Sequence, residues 1–109
     1  AEGPSDAVQV GPLTVDANRH EARLGQAALD LTTLEFKLLH TLARHAGQVL
    51  SRDQLLEQVW GYDYHGDSRV VDAVVKRLRA KLRRAMPGTE VILTVRGVGY
   101  KCCTTYDSV

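Results

Sequence analysis

The chain has 109 residues, of which 44% are hydrophobic and 25% are charged, and its formal net charge is +1. This length and composition are typical of one globular domain and exclude a disordered chain. No apolar run reaches the roughly 18 residues of a membrane helix, and the N-terminus lacks the apolar stretch of a signal peptide, so we expect a cytoplasmic protein without membrane contact.

The two cysteines, Cys102 and Cys103, are adjacent. Adjacent cysteines cannot close the long loops of a secreted disulfide framework, which is consistent with a reducing compartment. In a strand their side chains would point to opposite faces. We therefore assign them no redox or metal chemistry.

The two signs of charge are segregated along the chain. Residues 1–68 contain five basic and ten acidic side chains, whereas residues 69–101 contain nine basic and two acidic ones. The first segment therefore has a net charge of −5 and the second a net charge of +7. A basic segment in an otherwise acidic domain is typical of a surface that binds a polyanion, and nucleic acid is favoured over a membrane because no amphipathic membrane face accompanies it.

The sequence of the N-terminal third predicts a short N-terminal linker followed by a small sheet. We interpret residues 1–7 as a linker or an artificial extension, residues 8–103 as the domain, and residues 104–109 as a C-terminal tail. Short apolar segments separated by turn residues predict a small antiparallel sheet. These segments are 8–10, 13–15, 22–24 and 27–29.

Two capping motifs predict where the first two helices begin. Thr32-Thr33-Leu34-Glu35 is a capping box, and the apolar residues that follow it have helical spacing as far as Gly47. Ser51-Arg52-Asp53-Gln54 repeats the motif and predicts a short second helix that ends at Gly61. A third helix is predicted over 68–85, ended by Pro87-Gly88. Segments 91–95 and 100–103 then predict a β-hairpin.

The third predicted helix is one-sided. At about 100° per residue, a narrow apolar stripe must face the core, and it consists of Val71, Val75, Leu78 and Leu82. The opposite side combines small residues, which allow close approach to base edges, with long basic residues, which reach bases and phosphates. That side consists of Arg69, Ala73, Lys76, Arg77, Ala80 and Arg84.

A solvated charged face is the ordinary alternative for such a helix. It predicts mixed signs, because surface helices gain from pairs of opposite charge three or four residues apart. This helix instead has seven basic residues and one acidic residue, Asp72. Nucleic-acid binding is therefore favoured. The hairpin that follows has Arg96 at its turn, where it could enter an adjacent minor groove or be an ordinary exposed arginine.

Four motifs resemble the C-terminal effector domain of OmpR/PhoB-type response regulators, and the resemblance covers residues 8–103. It implies an α+β fold, a winged helix-turn-helix with an N-terminal four-stranded antiparallel sheet, a three-helix core and a C-terminal β-hairpin wing. The motifs are LTTLEFKLL at 31–39, SRDQLL at 51–56 with VWG at 59–61, RLRAKL at 77–82, and TVRGVGY at 94–100.

The resemblance also implies roles for individual residues. The position of Arg77 reads a base in the major groove, while Arg69, Lys76 and Arg79 contact phosphates or base edges. Many relatives have histidine or tyrosine at Val74, and a valine there contacts a thymine methyl group but donates no hydrogen bond. The full set of predicted contacts is Arg69, Ala73, Val74, Lys76, Arg77, Arg79 and Arg84 on the helix, Thr94 and Arg96 on the wing, and Arg52 and Trp60 on the second helix, Trp60 having a core residue as its alternative.

The loop 61–67 resembles the segment through which such proteins contact RNA polymerase. Tyr62, Tyr64 and His65 are the candidate contacts, although the tyrosines could instead cap the second helix against the third. His65 lies near Asp67, but no nucleophile or orienting partner accompanies it, so acid–base catalysis is not indicated.

The basic helix predicts nucleic-acid binding, and the resemblance implies a transcription regulator of a bacterial two-component system that binds double-stranded promoter DNA as a dimer on direct repeats. A receiver domain and a sensor kinase are expected for the full-length protein. A protein-interaction module for an acidic partner is the alternative, and RNA binding is less favoured because the basic helix has no aromatic platform. No enzyme motif, metal-ligand spacing or cofactor motif is present.

Overall fold

A computed structural model describes residues 7–103. Residues 1–6 of the predicted N-terminal linker (1–7) and the predicted tail at 104–109 lie outside the described residues. Ala7, which the sequence assigned to the linker, is the first residue of the first strand, where it pairs with Asp16.

The N-terminal sheet has four antiparallel strands, which lie side by side in chain order. Side chains alternate between the core and solvent along its middle strands, so that Leu13, Val15, Ala22 and Leu24 are buried. The predicted sheet is thus confirmed. Its strands are β1 (Ala7–Val10), β2 (Leu13–Asp16), β3 (Glu21–Leu24) and β4 (Ala27–Ala28).

Both predicted capping boxes are present. Helix α1 (Thr33–Arg44) begins after Thr32, whose hydroxyl oxygen accepts from the Glu35 amide at 3.2 Å, while the Glu35 carboxylate accepts from the Thr32 amide at 3.0 Å. Helix α2 (Arg52–Leu55) has the same reciprocal bonds between Ser51 and Gln54, at 3.1 and 2.8 Å. These side chains satisfy amides that the first helical turn leaves without backbone partners.

Helix α2 continues into a π-helical turn over Leu56–Trp60, which the sequence did not predict. Gly61 ends this turn with a positive φ of 98°. After the loop, helix α3 spans Arg69–Ala85, close to its predicted bounds. It packs against α1, and its predicted apolar stripe is buried in the common core.

The C-terminal sheet has three strands in the order β5-β7-β6, where β5 is Leu50–Ser51, β6 is Ile92–Val95 and β7 is Gly99–Cys102. The hairpin of β6 and β7 was predicted, but β5 was not, because two residues give no periodic signal. Gly99 permits the pairing of β5 with β7. A Cβ atom at Gly99 would overlap the carbonyl oxygen of Leu50 and lie 2.8 Å from the Cα atom of Ser51.

Candidate nucleic-acid interface

The outer face of α3 combines exposed small residues with exposed basic ones. Ala73 and Ala80 lie along its centre, with Lys76, Arg77 and Arg84 beside them, all exposed to solvent. Among the described residues, neither Lys76 nor Arg84 has an ion-pair partner. The predicted sidedness is therefore present, and this face has uncompensated positive charge.

Arg69 lies at the start of α3 and is paired locally. Its Nε donates to Asp67 Oδ2 at 2.8 Å, and its backbone amide donates to Asp67 Oδ1 at 2.9 Å. The hydrogen bond and charge of Asp67 raise the pKa of Arg69, and Arg69 lowers the pKa of Asp67 in return. Both side chains are exposed, so this ion pair contributes little to stability.

Arg77 contacts the buried carboxylate of Glu35. The Arg77 Nε lies 3.5 Å from Glu35 Oε2; the Arg77 side chain is 58% exposed and that of Glu35 is 1% exposed. Lys81 Nζ donates to Glu35 Oε1 at 2.6 Å. Burial raises the pKa of Glu35, but the bonds from Lys81 and Thr32 and the charges of Lys81 and Arg77 outweigh it, so the pKa lies below its ordinary value. The sequence indicated only a cap at Glu35.

Arg79 is bound within the molecule, on the side of α3 that faces the wing. Its Nε and Nη2 donate to the carbonyl oxygen of Ile92 at 3.2 and 3.0 Å, and Nη2 also donates to Thr94 Oγ1 at 2.5 Å. Its guanidinium lies 5.8 Å from the ring centroid of Tyr100, within cation–π range. Two predicted contact residues, Arg79 and Thr94, are thus joined to each other.

Asp72 connects α3 to both α2 and the wing. Its carboxylate accepts from Arg52 Nε at 2.9 and 3.1 Å and from the hydroxyl of Tyr100. Burial raises the pKa of Asp72, but the hydrogen bonds from Tyr100 and Arg52 hold it below its ordinary value. Burial and the bond to Asp72 raise the pKa of Tyr100. The one acidic residue of α3 therefore acts as an internal bridge.

The wing tip is exposed. Arg96 and Thr94 face solvent, and Gly97 makes the turn with a φ of 78°. Arg52, Thr94 and Arg96 also line an open cleft of about 230 Å³ between α2 and the wing. The structure thus brings Arg52 of the second helix and the two predicted wing residues to one cleft, which Trp60 does not line.

Val74 was predicted to read DNA, and this prediction is wrong. Its side chain is 2% exposed and packs in the core with Val71, Val75 and Leu78. A base edge cannot reach it. Trp60 is half-buried and packs against the same core, which agrees with the alternative given for it.

The two tyrosines of the loop between α2 and α3 fit different interpretations. Tyr62 is 82% exposed, as expected of an anchor for a partner. The Tyr64 ring centroid lies 6.3 Å from that of Trp60, and the Tyr64 hydroxyl donates to the carbonyl oxygen of Asp67 at 3.4 Å, as expected of a cap. His65 is exposed.

Residues 7–103 contain neither a metal-binding cluster nor a membrane-spanning helix. No group of three or more His, Cys, Asp or Glu side chains in this range is arranged to hold a metal ion. None of its helices has the length and apolar character needed to cross a membrane.

Comparison with known families gives a match over most of the domain. The family described as "Transcriptional regulatory protein, C terminal" matches residues 25–102. The response regulator MtrA of Mycolicibacterium smegmatis is 46% identical over 98 residues, and the regulatory protein PrrA of Mycobacterium leprae is 49% identical over 100 residues. These alignments cover 90% and 92% of this chain but only 43% and 42% of the relatives, so the chain spans less than half of their length.

Comparison with solved structures leads to the same family. The DNA-binding domain of RstA from Klebsiella pneumoniae, determined in complex with the RstA box, is 37% identical, with a TM-score of 0.78 over 91% of this chain and 98% of that one. The response regulator DrrB of Thermotoga maritima is 34% identical, with a TM-score of 0.77 over 90% of this chain and 44% of that one. The α+β winged helix-turn-helix fold is confirmed, and the chain belongs to the effector-domain family of bacterial OmpR/PhoB-type response regulators.

Proposed function

We propose that this domain binds double-stranded promoter DNA in a sequence-specific manner, with α3 in the major groove and Arg96 of the wing directed toward the adjacent minor groove. The observation that carries the proposal is the outer face of α3. Exposed Ala73 and Ala80 leave room for base edges, and Lys76 and Arg84 beside them have no acidic partner among the described residues. Such a basic face gains little electrostatic stabilisation in solution, but it gains much when it binds a polyanion.

Within this surface we assign different tasks to the basic residues. Arg77 reads a base edge, while Lys76, Arg84 and Arg69 contact phosphates. Arg52 and Thr94 lie on the cleft beside the wing, where a phosphate would meet both side chains. Arg79 is already bound to Ile92 and Thr94, which favours a role as a strut that sets the wing against α3.

For the whole protein, we propose a receiver domain controlled by a sensor kinase and cooperative binding of two copies to direct repeats in the bacterial cytoplasm. The relatives support this, since they are named as regulatory proteins and are more than twice as long as the matched segment. Tyr62 is our candidate contact with RNA polymerase, because it is the most exposed large hydrophobic residue of the described chain.

Selection of binding sites from random duplex DNA tests the proposal. We expect the 109-residue chain to enrich one short half-site, repeated in the same orientation. Arg77→Ala should cost about 1 to 3 kcal/mol on the selected site and relax the preference at one base pair. Lys37→Ala removes a positive charge from the exposed face of α1 and is the matched control, with the preference retained.

Two results would contradict the proposal. If no sequence is enriched at moderate salt, the domain is better explained as a module for an acidic protein partner. If Arg77→Ala weakens binding to all duplexes equally, Arg77 contacts phosphate and another residue must read the base.

A further inference from the structure

We infer that Glu35 is a positioning residue for base recognition: its buried carboxylate orients the guanidinium of Arg77 so that the two terminal nitrogens face the DNA groove, which selects guanine. The inference rests on the proposed function, because it needs Arg77 at a base edge. It adds a residue of α1, outside the predicted contact set, to the determinants of specificity.

Both oxygens of the Glu35 carboxylate have assigned partners. Oε1 accepts from the Thr32 amide at 3.0 Å and from Lys81 Nζ at 2.6 Å, and Oε2 lies 3.5 Å from Arg77 Nε. Lys81 is held in turn by the carbonyl oxygen of Asp30 at 2.7 Å. A carboxylate that is 1% exposed and bound at one oxygen by two donors cannot turn away, so Oε2 is a fixed point of negative charge.

This contact constrains Arg77 without occupying its recognition edge. The Nε lies 3.5 Å from Glu35 Oε2, the guanidinium forms no hydrogen bond to the described residues, and the side chain is 58% exposed. The two terminal nitrogens form a planar fork that matches the O6 and N7 acceptors of guanine. A side chain held in this orientation loses less rotamer freedom on binding than an unrestrained arginine.

A second arginine of α3 shows why burial matters. Arg83 Nε lies 3.5 Å from Glu90 Oε2, the same distance as in the Arg77 pair, but the Glu90 side chain is 51% exposed. An exposed carboxylate exchanges its partner for water, and such surface pairs contribute little. Glu90 therefore provides a control, because its distance to an arginine is the same as that of Glu35 but its exposed carboxylate does not hold that arginine in place.

Glu35→Gln separates positioning from capping. The amide oxygen of the variant still accepts from Thr32 and Lys81, so the cap of α1 is retained, but the amide nitrogen replaces Oε2 and repels Arg77 Nε. Affinities are measured for the selected duplex and for a duplex with the guanine pair exchanged. We expect the ratio of the two affinities to fall about three- to tenfold for Glu35→Gln. It should not change for Glu90→Gln, which removes the same charge.

A double variant tests whether Glu35 acts through Arg77. In the Arg77→Ala background, Glu35→Gln should leave the affinity ratio unchanged, because the side chain that it orients is missing. If Glu35→Gln changes both affinities in parallel, or lowers the ratio equally in both backgrounds, the inference is overturned while base reading by Arg77 stands. If the wild-type chain shows no preference, the proposed function fails and the inference fails with it.

A measurement on the wild-type chain covers the case in which Glu35→Gln unfolds. The Nε–H groups of Arg77, Arg83 and Arg84 are compared by NMR relaxation in the absence of DNA. We expect Arg77 to be the most rigid of the three. Equal mobility of Arg77 and Arg84 would overturn the inference without any variant.

Discussion

Arg79 and Arg84 both lie on α3, yet only Arg79 has partners among the described residues. Arg79 faces the wing, where the carbonyl oxygen of Ile92, the hydroxyl of Thr94 and the ring of Tyr100 surround it. Arg84 faces outward beside Ala80. The wing side of α3 therefore uses the charge of Arg79 to assemble the domain, whereas the charges of Lys76 and Arg84 on the outer side have no ion-pair partner in the described range. The residue type alone does not distinguish the two uses.

The largest effect is expected on the wing side of α3, where a substitution of Arg79 should lower the stability of the domain. Arg79→Ala removes the donors to Ile92 and Thr94 and should lower the free energy of unfolding by about 2 kcal/mol. Denaturant unfolding at neutral pH measures the loss. If Arg79 only holds the wing against α3, its loss should change the slope of log K against log salt by less than about one unit. A decrease by a full unit would instead identify Arg79 as a phosphate contact, as the sequence predicted.

Arg84→Ala should show the opposite behaviour. We expect the slope of log K against log salt to fall by about one unit on any duplex, because one phosphate loses its cation. Unfolding free energy should stay within about 0.5 kcal/mol of wild type, since the side chain is exposed and has no ion-pair partner in the described range. Lys37→Ala, on α1, is the control for loss of charge elsewhere. A stability loss as large as that of Arg79→Ala would remove the distinction between the two sides.

The smallest effect is a pH dependence on the wing side. Because the pKa of Asp72 is depressed in the folded state, its stabilisation is present above the ordinary value of 3.8 and is lost as pH falls through the lower folded pKa. Tyr100→Phe removes one hydrogen bond to the carboxylate and should raise the pKa of Asp72. An NMR titration of Asp72 in both chains measures the shift; an unchanged pKa would mean that Arg52 alone sustains the depression.

The sequence predicted most of the local structure because local structure depends on neighbouring residues. The capping boxes of α1 and α2 each join two residues within one helical turn, and the buried stripe of α3 follows from helical spacing. The error at Val74 has another origin, because the resemblance rather than the helical spacing placed this residue among the DNA contacts. Val74 lies about 100° from Val75 around the helix, at the margin of the stripe, and spacing alone does not say how far neighbouring elements cover that margin.

What the sequence did not predict depends on contacts between distant segments. Lys81 and Glu35 are 46 residues apart, and Arg52 and Asp72 are 20 apart. No spacing rule pairs such residues, so the internal bonds of Arg79 and the contacts of Glu35 with Lys81 and Arg77 became visible only in three dimensions. The exposed face with Lys76 and Arg84 could be predicted without such contacts, because it lies opposite the buried stripe of α3.

Ser51 belongs to two elements at once, because it caps α2 and also pairs with Gly99 at the root of the hairpin. The root is therefore fixed by the start of a helix. The tip, residues 96–98, lies outside this pairing, since β5 pairs only with Gly99 and Tyr100. Tips of other lengths and sequences could thus be exchanged between Val95 and Gly99 without moving α2. This modularity makes the tip a suitable point at which to engineer domains with altered surface chemistry.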